Sequence, residues 1–280
     1  MKAEFYGVRG SVPTPGKDTL IFGGNTSCVY VELDNGDGVI LDAGTGIINL
    51  GKTLRKCHHD ITILVTHNHW DHIQGFPYFT PIYQKNRKIT LVPGAIEHTD
   101  KSMILRQMSD SNHPVKYEQL PANIQLNETL ATHAQFNVQD FLVKTEKLNH
   151  PDGGSAYCLY GDGKKLAYVT DNELSPPYDM VTSWQQWVTF VDNADVLIHD
   201  AQYVHKDMPT KHGWGHSTYD QVIKLALEAK VKHLFIISHD PARTDTELLT
   251  LEQEFQSKYA SKLDFHCARE GVIIDLGKIE

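Results

Sequence analysis

Short runs of apolar and β-branched residues recur along this chain, and five of them stop at a side chain able to bind a metal or carry a proton. Ile61 to Thr66 leads to His67, Phe141 to Leu148 to His150, and Lys165 to Thr170 to Asp171; Asp195 to His199 leads to Asp200, and His233 to Ser238 to His239. Runs of this length and composition predict largely buried strands. Ligands in α/β sheets collect at the carboxyl ends of strands, so five such ends predict one shared active-site edge.

Earlier in the chain, Cys28 to Leu33 and Gly38 to Asp42 predict two strands joined at Asp34-Asn35-Gly36-Asp37-Gly38, whose Asn-Gly is a strong hairpin signal. Asp42-Ala43-Gly44-Thr45-Gly46 then opens a predicted helix from Ile47 to Lys56. No P-loop Lys-Ser/Thr follows the Gly-Thr-Gly turn, which argues against a nucleotide loop. Asp42 suits either a carboxylate that orients a ligand histidine or a helix N-cap. Between Ile73 and Asn137 the pattern is less regular. Gly75 to Tyr83 is too aromatic and proline-rich for a simple helix, and Glu97 to Met108 predicts a helix carrying Met103, Leu105 and Met108. Residues of about 75–120 are expected to form a lid or wall over the site, and residues 1–280 to form one domain without internal repeat or linker.

The run His67-Asn68-His69-Trp70-Asp71-His72 changes this picture most. Four of its six side chains are metal ligands by chemistry, and imidazole with carboxylate suits Zn²⁺ and its neighbours, with Mn and Fe as the other candidates. His67 and His69 point the same way if the chain is still extended. Asp71 and His72 fall where the strand gives way to a turn or helix, so they can face a second ion; the density of donors predicts two divalent ions. The other histidines, including His58, His59, His98, His113, His133, His205, His212, His233 and His266, lack such a setting and are expected at the surface or in the core.

Composition narrows the partners. The 280 residues suffice for a layered α/β core, and no stretch of 18 apolar residues or signal-peptide start is present, so a soluble, cytoplasmic protein without a membrane role is expected. Cys28, Cys57, Cys158 and Cys267 are scattered without a CxxC pair, which predicts reduced, structural thiols. A net charge of −9 disfavours a long nucleic acid laid across the surface while leaving a small anion open.

With these residues in view, the chain resembles the metallo-β-lactamase superfamily: Asp42, the His67-x-His69-x-Asp71-His72 run, Asn149-His150-Pro151, Thr170-Asp171-Asn172 and Ser238-His239-Asp240 match its ordered motifs over nearly the whole chain. The resemblance implies an α/β fold of αββα type, two mixed β-sheets with helices on the outer faces. It further implies that His67, His69 and His150 bind one ion, that Asp71, His72 and His239 bind the other, and that Asp171 bridges them.

Asp200-Ala201-Gln202-Tyr203 and Gly215-His216-Ser217-Thr218, with a helix from Tyr219 to Lys230, resemble the phosphodiesterase branch, which includes transfer-RNA 3′-processing ribonuclease Z and small cyclic phosphodiesterases. That likeness implies that His216 contacts phosphate with Asp200 in support; from the chemistry of two metals, Asp71 is expected also to orient the attacking hydroxide. Ser217 with Asp220 resembles a capping box, which puts His216 just before a helix N-terminus. Ribonuclease Z enzymes commonly carry a long arm between the positions of His150 and Asp171, here only 21 apart. A small phosphodiester, such as a cyclic nucleotide, is therefore expected as substrate, and the resemblance to this branch implies a homodimer. Transfer-RNA 3′ cleavage and lactone hydrolysis are the alternatives, followed by a non-catalytic metal-binding module.

Overall fold

The computed structural model describes residues 1–57, 59–95, 102–109 and 111–279. Strands β1 (Lys2–Gly7), β2 (Cys28–Glu32), β3 (Gly38–Leu41), β4 (Ile61–Leu64), β5 (Lys88–Val92) and β6 (Asn123–Leu126) build the first sheet. The second holds β7 (Gln135–Val138), β8 (Phe141–Lys147), β9 (Ser155–Gly161), β10 (Lys164–Val169), β11 (Val196–Asp200), β12 (His233–Ile237) and β13 (Asp264–Cys267). A last strand, β14 (Ile273–Asp275), returns to the first sheet antiparallel to β1. Each sheet has seven strands and is mixed: β3 to β6 and β10 to β13 are parallel, and the remaining pairs antiparallel.

The alternation of side chains along each strand sorts the core into layers. Val29, Val31, Leu41 and Leu64 of the first sheet meet Val143, Leu159, Tyr168, Ile198 and Ile237 of the second in one buried cluster between the sheets. On the outer face of the first sheet, Ile40, Ile63 and Ile89 bury Ile47, Leu50 and Leu54 of α1 (Ile47–Leu54). The second sheet buries α4 (Trp184–Val191), α6 (Tyr219–Glu228) and α7 (Asp245–Tyr259) in the same way. The shorter helices α2 (Trp70–Ile73), α3 (Met103–Arg106) and α5 (Met208–Lys211) lie in connections. This is the αββα sandwich expected. Among the described residues no helix is long and apolar enough to cross a membrane.

Several local expectations are corrected. The capping box of α6 is Thr218 with Gln221, because the Ser217 hydroxyl donates to Asn172 O and accepts from Leu174 N–H instead. Gly46, not Asp42, is the N-cap of α1. Part of the expected lid is sheet: Lys88–Val92 is β5, paired on both sides with β4 and β6, while Phe76, Phe79 and Ile82 are buried under α1. Of the helix expected over Glu97 to Met108, Met103–Arg106 is helical as α3, and residues 96–101 lie outside the described residues, as do His58 and His98.

Candidate metal centre

After β4 the backbone stays extended through His69, whose φ and ψ are −58° and 146°, and then turns into α2. The rings of His67 and His69 consequently share one side, with centroids 4.6 Å apart. The first turn of α2 swings Asp71 and His72 into the interior and leaves Trp70 outside, 69% exposed. From the second sheet, the loop after β8 brings His150 to 4.8 Å from both His67 and His69, centroid to centroid. Asp171 follows β10 in the left-handed region, with φ of 50°.

Three donor groups result, each with its ligand atoms within 4.8 Å of one another: His67, His69, His150 and Asp171; Asp71, His72 and Asp171; and Asp171, Asp200 and His216. Asp171 belongs to all three. His72 Nε2 lies 3.2 Å from Asp71 Oδ2 and 3.3 Å from Asp171 Oδ2. His67 Nε2, 3.6 Å from the same Asp171 Oδ2, and His72 Nε2 are buried facing carboxylate oxygens without a well-aligned hydrogen bond. Buried polar nitrogens are rarely left in this state, so nitrogens and carboxylates converging in this way fit a cation. Imidazole and carboxylate in this proportion suit a divalent first-row ion, zinc foremost.

The opposite ring nitrogens are held by the protein, which fixes how each imidazole faces the centre. Thr66 Oγ1 lies 3.1 Å from His67 Nδ1, the Gly215 carbonyl oxygen 3.1 Å from His150 Nδ1, and Asp42 Oδ2 2.8 Å from His72 Nδ1. Asp42 is itself held by Thr66 N–H at 2.7 Å and the Tyr168 hydroxyl at 3.0 Å. Of the two roles open to Asp42, orientation of a histidine is the one this geometry matches.

Electrostatics differ across the centre. Burial pushes His67 well below the usual histidine range and His150 down to about 4, so both rings stay neutral with a lone pair to offer. Burial also acts to lower His72, but Asp71, Asp171 and Asp42 outweigh it and raise that ring well above the usual range. Burial opposes ionisation of Asp171, yet His72 and His216 hold its carboxyl well below the carboxylate range. A ring pressed by three carboxylates is the place where a cation would relieve the most charge.

Beside the donors, His216 Nδ1 is 3.1 Å from Asp200 Oδ1, and Asp200 also accepts from the backbone N–H groups of Ser217 and Gln202. Burial would lower His216, but Asp200 and Asp171 raise it to about 9. Burial raises Asp200 against the pull of His216. On the other flank, Ser11 N–H donates to Asp71 Oδ2 at 2.8 Å, and Gln202 Nε2 donates to Ser11 Oγ.

All the predicted site residues except His239 fall into these groups. His239 follows β12, where its Nε2 donates to Ala268 O at 2.8 Å, and its Nδ1 is buried without a partner. Besides Ser11, two contributors were not foreseen. Thr66 ends the apolar run with a hydroxyl that reaches both Asp42 and His67. Glu173, 0% exposed, accepts from the N–H groups of Gly213 and Gly215 and so holds the loop before His216. Its signal was an acidic side chain two positions past Asp171.

A family model described as the β-lactamase superfamily domain matches residues 38–239, the span from β3 through the last predicted ligand. The chain belongs to this superfamily. Two relatives named ribonuclease Z align over most of both chains: that of Picrophilus torridus is 23% identical, covering 98% of each, and that of Staphylococcus epidermidis is 24% identical, covering 89% of this chain and 92% of its own. Among solved structures, the metallo-β-lactamase fold protein YhfI from Bacillus subtilis superposes with a TM-score of 0.69 at 15% identity, over 98% of this chain and 99% of its own. The short form of human tRNase Z superposes with 0.62 at 20% identity, over 99% of each. As a metallo-β-lactamase superfamily member with this donor cluster, the chain is a metal-dependent hydrolase.

Proposed function

We propose that the protein is a dinuclear phosphodiesterase acting on a small phosphodiester, with a cyclic nucleotide as the representative substrate. The observation that carries it is the third donor group, in which His216 and Asp200 stand against the same Asp171 that the two metal groups share. A hydrolase that needed metals alone would have no use for a buried imidazole–carboxylate pair at that position.

In this reading His67, His69 and His150 would hold one zinc ion and Asp71, His72 and His239 the other, with Asp171, whose Oδ2 faces both His67 and His72, as the shared ligand. Bound there, the ions supply positive charge that polarises the phosphate and makes water a stronger nucleophile. The remaining work falls to the chain. Asp71, anchored by Ser11 N–H, orients the attacking water. His216, paired with Asp200 through Nδ1, is favoured in its protonated form by that carboxylate, which leaves the Nε2 proton free to act. That proton stabilises the charge developing on phosphate or passes to the leaving oxygen.

Support for a small substrate comes from the connection between His150 and Asp171. It is a plain hairpin, β9 to β10, turning at Asp162 and Gly163 with φ of 50° and 70°. No arm protrudes there to grip a folded RNA, and the net charge of −9 does not favour one. The relatives named ribonuclease Z favour a second reading, transfer-RNA 3′ cleavage. Kinetics on 3′,5′- and 2′,3′-cyclic nucleotides, an aryl phosphodiester and precursor transfer RNA, at one salt and metal concentration, separate the two. The higher kcat/KM is expected on a small diester; accurate transfer-RNA cleavage at the higher kcat/KM would overturn the proposal. The homodimer and cytoplasmic location belong to the same reading, and sedimentation of the metal-loaded protein tests the first.

A further inference from the structure

Trp187 is fully buried, and Trp184 packs beside it against the second sheet. The other two tryptophans are 69% and 56% exposed, and both border the site: Trp70 stands between His69 and Asp71, and Trp214 precedes Gly215 and His216. An indole is among the largest apolar groups a chain can bury, so one left in water beside a reaction centre has forgone that gain.

Trp70 faces a cleft of about 450 Å³, also lined by Asn68, Pro77, Tyr78, Met103 and Gln107. That volume falls within the size range of small-molecule sites. Its walls are connected: Gln107 Nε2 donates to Ile73 O at 2.8 Å, tying α3 to α2, and Tyr78 is held edge-on by His113, with ring centroids 5.6 Å apart. Tyr78 and Met103 nonetheless stay 59% and 45% exposed. The cleft therefore offers two aromatic faces, a polarisable thioether, the amide oxygen of Gln107, whose Nε2 is committed to Ile73 O and Ile104 O, and the polar side chains of Asn68 and Arg106. This is the chemistry that receives a flat heteroaromatic ring with a polar edge, through stacking on its faces and hydrogen bonds at its rim. An acyl chain would be served by aliphatic walls.

We propose that this cleft is the nucleobase site, and that Trp70 and Tyr78 select base-bearing phosphodiesters over phosphodiesters of simple alcohols. Asn68 and Trp70 line the cleft and alternate along the chain with His67, His69 and Asp71, so the cleft adjoins the metal-ligand run. The inference rests on the phosphodiesterase reading for the position of the phosphate.

Calorimetric titration of the metal-loaded protein with adenosine 5′-monophosphate and with ribose 5-phosphate tests the site. The two share the phosphate, so their difference isolates the base. Adenosine monophosphate is expected to bind roughly 5- to 150-fold more tightly, the scale of one stacked base. Trp70→Ala should erase most of that preference and Trp70→Phe retain much of it. Tyr78→Ala, outside the ligand run, should reduce it while leaving ribose 5-phosphate affinity and metal content unchanged. Equal affinity for the two ligands, or a preference untouched by both alanine variants, would overturn the base site. Hydrolysis of bis(p-nitrophenyl) phosphate, measured in parallel, needs no base site, so its absence would count against the phosphodiesterase reading alone.

Discussion

The Nδ1 of His150 lies 3.1 Å from the carbonyl oxygen of Gly215, so the loop that presents His216 also sets the ring of a proposed metal ligand. Gly215 has φ of 86°, and a Cβ added there would overlap the His150 ring. Gly215→Ala is therefore expected to displace His150 and to impose left-handed strain together. Elemental analysis should find less than the wild-type metal content, with turnover down at least tenfold. An alanine variant with full metal and full activity would show that the loop does not control this ring.

Glu173 secures the same loop from beneath. Glu173→Ala would strip the acceptor from the buried N–H of Gly215 and the part-buried N–H of Gly213, at a cost of about 1–3 kcal/mol for the buried group left unsatisfied. For a chain of this size, thermal denaturation should show Tm falling by roughly 2–4 °C per kcal/mol. Turnover should fall as His216 loses its position. Glu173→Gln keeps an acceptor oxygen and should recover much of both losses; equal damage from the two variants would mean that the negative charge, and not the hydrogen bonding, is what the loop requires.

Metal content tests the sharing of Asp171. Reconstituted protein should carry about two ions per chain, since the donors exceed what one tetrahedral ion can use. Asp171→Ala should remove most binding at one site and reduce turnover severely. His239→Ala should lower the affinity for the second ion while the first is retained. Retention of two tightly bound ions by the His239 variant would remove that residue from the ligand set.

His216→Ala should keep both metals and the fold, yet lower phosphodiester turnover by roughly 10²–10⁴, the scale for loss of one acid or charge-stabilising group. Asp200→Ala should cost less, because Asp200 acts through the 3.1 Å contact with His216 Nδ1. The double variant is then no worse than His216→Ala alone. Simple addition of the two effects would give Asp200 an independent task.

Much of this was legible along the chain because the fold concentrates chemistry at strand ends. The runs before His67, His150, Asp171 and His239 are strands in the structure, each ending within three residues of its predicted donor, and Asp200 is itself the last residue of β11. The histidine run announced itself by spacing. What stayed hidden depends on contacts distant in sequence: Ser11 reaches Asp71 across 60 positions and Glu173 reaches Gly215 across 42. Serine and glutamate are too common for such roles to stand out. The capping box was misplaced by one residue because Ser217 and Thr218 are chemically equivalent caps, and only the pull of Asn172 O on the serine hydroxyl separates them. β5 went unseen because Lys88-Ile89-Thr90-Leu91-Val92 lies among proline-rich and polar segments that mask a short run.

The proposed ligands are divided between the two sheets: His67, His69, Asp71 and His72 follow β4 of the first, whereas His150, Asp171 and His239 follow strands of the second. Neither half of the chain holds a complete ligand set, so an ion at this seam would act as a rivet, tight only after the halves have docked. Separately made fragments, cut between β6 and β7, would each be poor chelators and would gain high metal affinity on mixing. Metal uptake would then become a direct gauge of reassembly, and chelation a means of prising the sandwich open along its seam.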